Sequence, residues 1–363
     1  MTERFQTVYR RIERFIADGE MAGAALAVAH KGQTVAEWYG GEARPGLPAG
    51  PNVLWPLASI SKCYTAAMIM ALIEQGEITL NTLVKSLLPK FSGGAKDEIR
   101  LRHLLTHTSG LMYESPEMAA RMAALTPREA IIDEAYPTAL LFQPSEGFSY
   151  GDYNYLLAGE MAAMTMGKPF AELVREYVIE PMGLKNTYFA PPVSEHKRIA
   201  YVKGSQAEGT DGAMYNSAYS HALAHPAFGA SASVTDLLRF ELHFASHGPR
   251  IHSESTVRTM SSDQTGGRAV GWHPAIRSLS SNPPVQSWGI GFYFVSPPTI
   301  GVFGDLMPMG TFGHGGASGC QLVINPSDEI CVAYVSNTHV AAGWEAWRRR
   351  AQVVMNGVMA ALT

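Results

Sequence analysis

Cysteine is scarce in this sequence. The three present, Cys63, Cys320 and Cys331, are widely spaced and odd in number. They form neither a disulfide framework nor a metal-ligand spacing, and they fit a reducing compartment. Charge is sparse too. Only 17% of residues are charged, the net charge is −4 and no basic block occurs, which argues against a nucleic-acid partner. No apolar run approaches the ~18 residues a membrane-spanning helix needs. Met1-Thr2-Glu3-Arg4-Phe5 leads straight into an amphipathic pattern, without the apolar stretch of a secretory signal. A cytoplasmic location is the expectation. Internal repeats and low-complexity segments are also missing. His103 and His107 lie four apart, but no HExxH glutamate sits between them and no third ligand is evident. Packing with hydrogen bonds to backbone is their expected use, and neither a metal nor an organic cofactor is implied.

What is present describes a globular chain with a sizeable core. Its 363 residues are 46% apolar, enough for two lobes or one large domain with an insertion. Phe5, Val8, Tyr9, Ile12, Phe15 and Ile16 recur at helical spacing and predict a first amphipathic helix ending at Gly19. Ala24–His30 and Thr34–Tyr39 read as a hairpin turning at Lys31-Gly32-Gln33. The chain from Met112 to about Leu141 is Ala- and Met-rich and reads as helical, as do 153–161 and 170–177. The stretch 190–227 reads as loop. A helix starting near Val234 is expected to be capped by Thr235 or a neighbour. Towards the end, 288–295 alternates like a strand. Phe312–Asn325 is a Gly-rich entry into another, Asn325-Pro326-Ser327-Asp328 is a turn, Ile330–Asn337 returns, and Trp344 to Leu362 makes a final helix. The expected fold is α+β: one antiparallel sheet from both chain ends, flanked by terminal helices, plus a mainly helical lobe. The boundaries expected are 1–85 with 230–363 for the sheet part and 86–229 for the lobe.

One stretch carries candidate chemistry. Ser59-Ile60-Ser61-Lys62 opens the apolar helical run Tyr64–Gln75, which stops at Gly76. On a helix beginning at Ser59, the hydroxyl and the amine share one face, beside the positive end of the helix dipole. A serine hydroxyl holds its proton at neutral pH, so a neighbouring base or cation is what it needs to act as a nucleophile. A serine at a helix start also serves as an ordinary N-cap, and the tetrapeptide alone does not separate the two uses. Tyr150-Gly151-Asp152 precedes another apolar helix, where Tyr150 is either catalytic or stacked at an interface beside Tyr153 and Tyr155. His314-Gly315-Gly316 reads as a strand open to close approach, or as an edge strand with a bulge. The G-x-S-x-G elbow of α/β-hydrolases is absent, because after Gly316-Ala317-Ser318 the second glycine is misplaced.

Ser59-x-x-Lys62, Tyr150-Gly151-Asp152 and His314-Gly315-Gly316, in this order and spacing, resemble the serine β-lactamase and penicillin-binding-protein superfamily. Within it the chain looks most like the class C β-lactamase branch, with its family VIII carboxylesterases, D-aminopeptidases and acyltransferases. Leu101–Leu111, Gly183–Thr187 and Gly229–Phe240 share the likeness, which covers roughly residues 8 to 355. The resemblance implies a β-lactamase/transpeptidase-like fold and a serine hydrolase working through an acyl-enzyme. Ser59 would be the nucleophile, with Lys62 beside it. Tyr150 would be the general base or share that duty with Lys62, its phenolate favoured by the lysine charge. Ala317 would join Ser59 in donating N–H groups to the oxyanion. Asp152, His314, Gly315, Gly316 and Ser318 would line the substrate, and side chains at the two glycines would block it. Two departures stand out. Asp152 replaces the branch's usual asparagine, so it cannot donate to a substrate amide while ionised and is expected to pair with Lys62. His314 replaces a lysine, which weakens the anchor for a β-lactam carboxylate. Both favour a small neutral ester, or less directly an amide. Phe148, Tyr153, Trp288 and the 190–227 loop are expected around the site. Amidase, β-lactamase or acyltransferase activity, or an acylated sensor without turnover, are the alternatives. Oligomeric state is not readable from the sequence.

Overall fold

The computed structural model describes residues 3–245, 247–266, 268–269, 285–295 and 303–362. Met1 and Thr2, part of the leader expectation, lie outside them. Helix α1 (Gln6–Ala17) buries Val8, Tyr9, Ile12 and Phe15, the stripe its periodicity predicts. Strands β1 (Gly23–His30) and β2 (Gln33–Arg44) follow. Lys31 and Gly32 both take positive φ, 52° and 73°, which matches the twist of a two-residue hairpin. A short β3 (Leu47–Pro48) extends that edge. The other strands of the same sheet come from the far end of the chain: β4 (Tyr293–Phe294), β5 (Phe312–Gly316), β6 (Cys320–Asn325) and β7 (Ile330–Ser336). Together they make a seven-stranded sheet in the order β3-β2-β1-β7-β6-β5-β4, antiparallel at each pairing. The β1–β7 ladder, with Ala27 opposite Ala333, joins the two chain ends.

Alternation along the strands gives the sheet two apolar faces. Leu26, Val28, Val323 and Val332 pack with α1 and α5 (Trp344–Leu362). Ala25, Ala27, Leu322, Ile324 and Ala333 face the other way, into the main core with α2 (Ser61–Glu74), α3 (Asp152–Met166) and α4 (Val234–Phe244). Helix α2 is buried at every residue from Ser61 to Leu72. An apolar run without a polar face has no other stable place than the middle of the protein. The core is continuous from the sheet to the helical part, and we propose that 86–229 forms a lobe by chain layout, set against 1–85 with 230–363.

Some local expectations change. Only Tyr293–Phe294 of the 288–295 stretch is strand, and Trp288 makes an isolated bridge to Tyr293. The interruption is Gly291, at φ +87°, where a Cβ would sit 2.8 Å from the Ala66 methyl on α2. Between Met112 and Leu141 the helices are two short ones, Met118–Ala123 and Arg128–Ala135, with Leu125 at φ +54° between them. Past Phe170–Val174 the helix widens into a π-turn over Arg175–Ile179. The cap of α4 is Ser233, not Thr235. Ser233 has the extended backbone a cap needs, and its hydroxyl accepts from the Asp236 N–H at 3.2 Å. The Asn325 turn is as expected, its side-chain oxygen accepting from the Ser327 and Asp328 N–H groups.

Candidate active site

The chain enters α2 through one tight turn, Ala58–Ile60. Ala58 has φ +49°, an uncommon conformation for a residue with a Cβ. Hydrogen bonds hold it there. Leu57 N–H donates to the Ala230 carbonyl (2.8 Å), Ala230 N–H to Ser61 Oγ (2.8 Å), and Ser61 Oγ–H to the Ala58 carbonyl (2.6 Å). Ser59 is therefore presented by a braced turn just before the helix rather than by the helix itself. Ser61, inside the motif, is the brace.

Lys62 is fully buried and has three partners, matching the three donors of an ammonium: Ser59 Oγ at 3.1 Å, Asp152 Oδ1 at 2.6 Å and the Ala227 carbonyl at 3.2 Å. Tyr150 lies with its ring centroid 4.7 Å from Lys62 Nζ, and its phenol hydrogen-bonds Ser59. The hydroxyl, ammonium and phenol expected to meet are thus together. Asp152 is the first residue of α3. Its N–H donates to the Tyr113 carbonyl at 2.6 Å, so the segment after Leu111 fixes the start of that helix. His107, fully buried at φ +58°, accepts from the Gly151 N–H at Nδ1 (3.2 Å), and its ring centroid lies 4.6 Å from that of Tyr150. His103 spends its Nδ1 on Arg100 N–H and its Nε2 on Ser145 Oγ.

The electrostatics differ from the expectation in one respect. Burial pulls the Lys62 ammonium below the ordinary lysine range, with the Asp152 carboxylate working against it. Burial first, and then Asp152, hold the Tyr150 phenol well above 10. Lys62 does not create a resting phenolate, because its charge is already matched by Asp152. Tyr150 rests as a phenol.

His314 is 2% exposed. Its Nδ1–H donates to the Gly315 carbonyl at 2.7 Å. Burial and the Lys62 charge push its pKa down to about 3, so the ring is neutral. The glycines beside it serve packing rather than substrate clearance. A Cβ on Gly316 would lie 2.3 Å from the Leu57 carbonyl oxygen, and one on Gly315 would meet Trp347 at 3.2 Å and Tyr293 Oη at 3.3 Å, on the face of the terminal helices. The first contact presses the end of β5 against the residue that leads into the serine turn. Ser318 does not line the site. It is fully buried, with its Oγ–H donating to the Pro56 carbonyl. Phe148 and Trp288 pack with Tyr150 as an aromatic wall, whereas Tyr153 turns into the main core and hydrogen-bonds Ser115.

The segment 190–227, expected as loop, holds a 3-10 helix (Val193–Arg198) and a short α-helix (Ala218–Ala222), and it reaches the site through the Ala227 carbonyl and through Gln206, whose Nε2 donates to Glu114 Oε1 at 3.0 Å. Glu114 was not foreseen. Its carboxyl is pushed up to about 8, by burial first and then by the Asp152 charge, while Gln206 and Lys62 oppose. The available signal was its place three residues past the Leu101–Leu111 segment. The Ala227 carbonyl, a backbone group, leaves no such trace. Among the described residues no three His, Cys, Asp or Glu side chains cluster to hold a metal ion.

An antiparallel sheet, a buried helix opening on Ser59 and Lys62, and a phenol delivered from the helical side define a serine acyl-transfer type of architecture. The chain belongs to the beta-lactamase family, whose profile matches residues 8–355. Esterase EstB of Burkholderia gladioli is 25% identical over 360 residues, covering 90% of this chain and 88% of that protein. A beta-lactamase of Pseudomonas fluorescens is 26% identical over 241 residues, covering 66% of this chain. The chain spans 64% of the length of that β-lactamase, and 48% of the Escherichia coli carboxypeptidase/endopeptidase AmpH, at 29% identity. The fold is that of EstCE1, described as a hydrolase with promiscuous acyltransferase activity (TM-score 0.79, 20% identity, 98% of both chains). It is also that of a penicillin-binding protein homologue from Caulobacter crescentus (TM-score 0.77, 24% identity, 99% of this chain and 97% of that one).

Proposed function

We propose that this protein is a serine hydrolase that cleaves a carboxylic ester through an acyl-enzyme on Ser59. The observation that carries the reading is the convergence of two proton-handling groups on one hydroxyl, Lys62 Nζ at 3.1 Å and the Tyr150 phenol. In the form where Lys62 has released its ammonium proton to solvent, Ser59 Oγ attacks the ester carbonyl and its proton passes to the neutral Lys62 amine. Burial lowers the Lys62 pKa and so raises the fraction of it present as the neutral amine. Tyr150, a phenol at rest, gives its proton to the departing alkoxide and regains one through Lys62. The Ser59 and Ala317 N–H groups hold the oxyanion, each contributing about 3 kcal/mol to the transition state. Water then attacks the acyl carbonyl and Ser59 recovers its proton.

Neutral His314 and the Lys62–Asp152 pair support an ester over a β-lactam, since neither leaves a free cation for a lactam carboxylate. The likeness to EstB over most of both chains supports the same choice. Acyl transfer to an alcohol in place of water is a second reading, favoured by the likeness to EstCE1. No described helix is long and apolar enough to cross a membrane. The free, buried thiols of Cys63, Cys320 and Cys331 are consistent with the cytoplasm as the proposed location. The test is p-nitrophenyl butyrate with purified protein. Steady turnover that disappears in Ser59→Ala at unchanged circular dichroism is expected. A single stoichiometric burst would point to a sensor, and retained turnover in the variant would remove Ser59 from the mechanism.

A further inference from the structure

The groups around Ser59 are short of positive charge. Lys62 is the one cation that acts on both Glu114 and His314 among the described residues, and it is hydrogen-bonded to Asp152 at 2.6 Å. Against it stand two carboxyls. Glu114 Oε1 accepts from Gln206 Nε2 at 3.0 Å, and Glu114 follows Tyr113, whose carbonyl accepts the Asp152 N–H at 2.6 Å and whose ring centroid lies 5.9 Å from that of Tyr150. A second, separate group also offers a lone pair. Strand β5 alternates, and the Gly315 position faces Trp347 on the terminal-helix side, so His314 points to the opposite face, the side of Ser59. Its ring lies 6.0 Å from Tyr150 and 5.5 Å from Trp288, centroid to centroid. With Nδ1–H spent on Gly315, the other nitrogen, Nε2, is a bare acceptor, buried and without a hydrogen-bond partner among the described residues. A buried acceptor without a donor is unfavourable until something supplies one.

We propose that this site selects substrates carrying a protonated amine or a comparable hydrogen-bond donor and rejects carboxylates, with Glu114 as the cation subsite and His314 Nε2 as a second acceptor for a substrate N–H or O–H. The proposal rests on the ester-hydrolase reading and adds the class of substrate. Glu114 is also a carboxyl that burial and the Asp152 charge keep protonated. At about 8 it is largely protonated when the site is empty, and a bound ammonium supplies the counter-charge that lets it ionise.

Two matched ester series test this with the intact protein. One varies the acyl half as p-nitrophenyl hexanoate, 6-aminohexanoate and monoadipate. The other varies the alcohol half as the butyrates of 4-methylphenol, 4-(aminomethyl)phenol and 4-hydroxyphenylacetic acid. In at least one series kcat/KM for the cationic ester is expected to exceed that for the anionic ester by tenfold or more. Glu114→Gln is expected to reduce the cationic-to-neutral ratio at least fivefold, chiefly through KM. No preference for the cation in either series, or a ratio unmoved by Glu114→Gln, would overturn the proposal. Turnover of the neutral esters that depends on Ser59 would still leave the hydrolase reading standing. If no ester is turned over, that reading falls. Calorimetric titration with hexylamine and hexanoate then decides the charge preference, with tighter hexylamine binding expected and equal or tighter hexanoate binding overturning it.

Discussion

Glu114→Gln should change how stability depends on pH, in a direction fixed by where the carboxyl sits. In the folded protein its pKa is raised from the ordinary 4.5 to about 8. The sign follows from proton counting. Below the ordinary value both the folded and unfolded chains hold this proton, and the group contributes no slope. Between 4.5 and about 8 the unfolded chain releases it while the folded chain keeps it, so stability falls as pH rises. Above about 8 both are ionised and the loss is complete. At ~1.4 kcal/mol for each pKa unit, the full gap would be worth about 5 kcal/mol. Water at the half-buried side of Glu114 and relaxation around the charge reduce this, and about 2 kcal/mol is the working figure. Glutamine keeps the acceptor for Gln206 and removes the titration. Urea unfolding of both proteins at pH 5, 7 and 9 is the assay. The variant should gain about 2 kcal/mol relative to the parent between pH 5 and 9, with most of the gain before pH 8. Taking the difference cancels the other titrating groups, apart from those facing Glu114: Asp152, Lys62, Tyr113, Tyr153 and Tyr215. Parallel pH curves for the two proteins would refute the burial of a proton-holding carboxyl here.

Asp152→Asn removes one partner of a buried ion pair. It should lower stability by about 3 kcal/mol, read by chemical denaturation, and it should not reduce nitrocefin hydrolysis, since a restored amide donor favours a lactam side chain. An unchanged unfolding midpoint would mean the Lys62–Asp152 contact is not an ion pair. Glu241 on α4 is fully buried, and neither carboxyl oxygen has a hydrogen-bond partner among the described residues, so burial holds it protonated. Glu241→Met should therefore stabilise the fold by ~1–2 kcal/mol, and a loss of stability in thermal melts would contradict that. Gly316→Ala puts a Cβ 2.3 Å from the Leu57 carbonyl oxygen. It should cut kcat for p-nitrophenyl butyrate at least tenfold by shifting Ala317 away from the serine turn, and wild-type kinetics would show that β5 does not set the oxyanion geometry.

The order Ser59-x-x-Lys62, Tyr150-Gly151-Asp152 and His314-Gly315-Gly316 was legible because each motif is local, and local sequence sets which side chains a turn or strand presents. The terminal helix stripe, the hairpin at Lys31-Gly32 and the fully apolar run of α2 were legible for the same reason: periodicity records which face is buried. Ser318 and Tyr153 were misplaced because neighbouring residues on a strand or helix point in different directions, and only packing says which direction holds the site. The roles of Gly315 and Gly316 were misassigned likewise, because the obstacle to a side chain there is Trp347 or the Leu57 carbonyl, both distant in the chain.

The amino-acid sequence by itself determined the α+β architecture, the family and the two side chains, Lys62 and Tyr150, that meet at Ser59. Tertiary structure alone decided their charge states. Burial depth and the approach of Asp152 from α3 leave Tyr150 a phenol, His314 a neutral acceptor and Glu114 a carboxyl that keeps its proton near neutral pH. A pKa depends on the water removed and the charges brought near, and both are set by parts of the chain far apart in sequence.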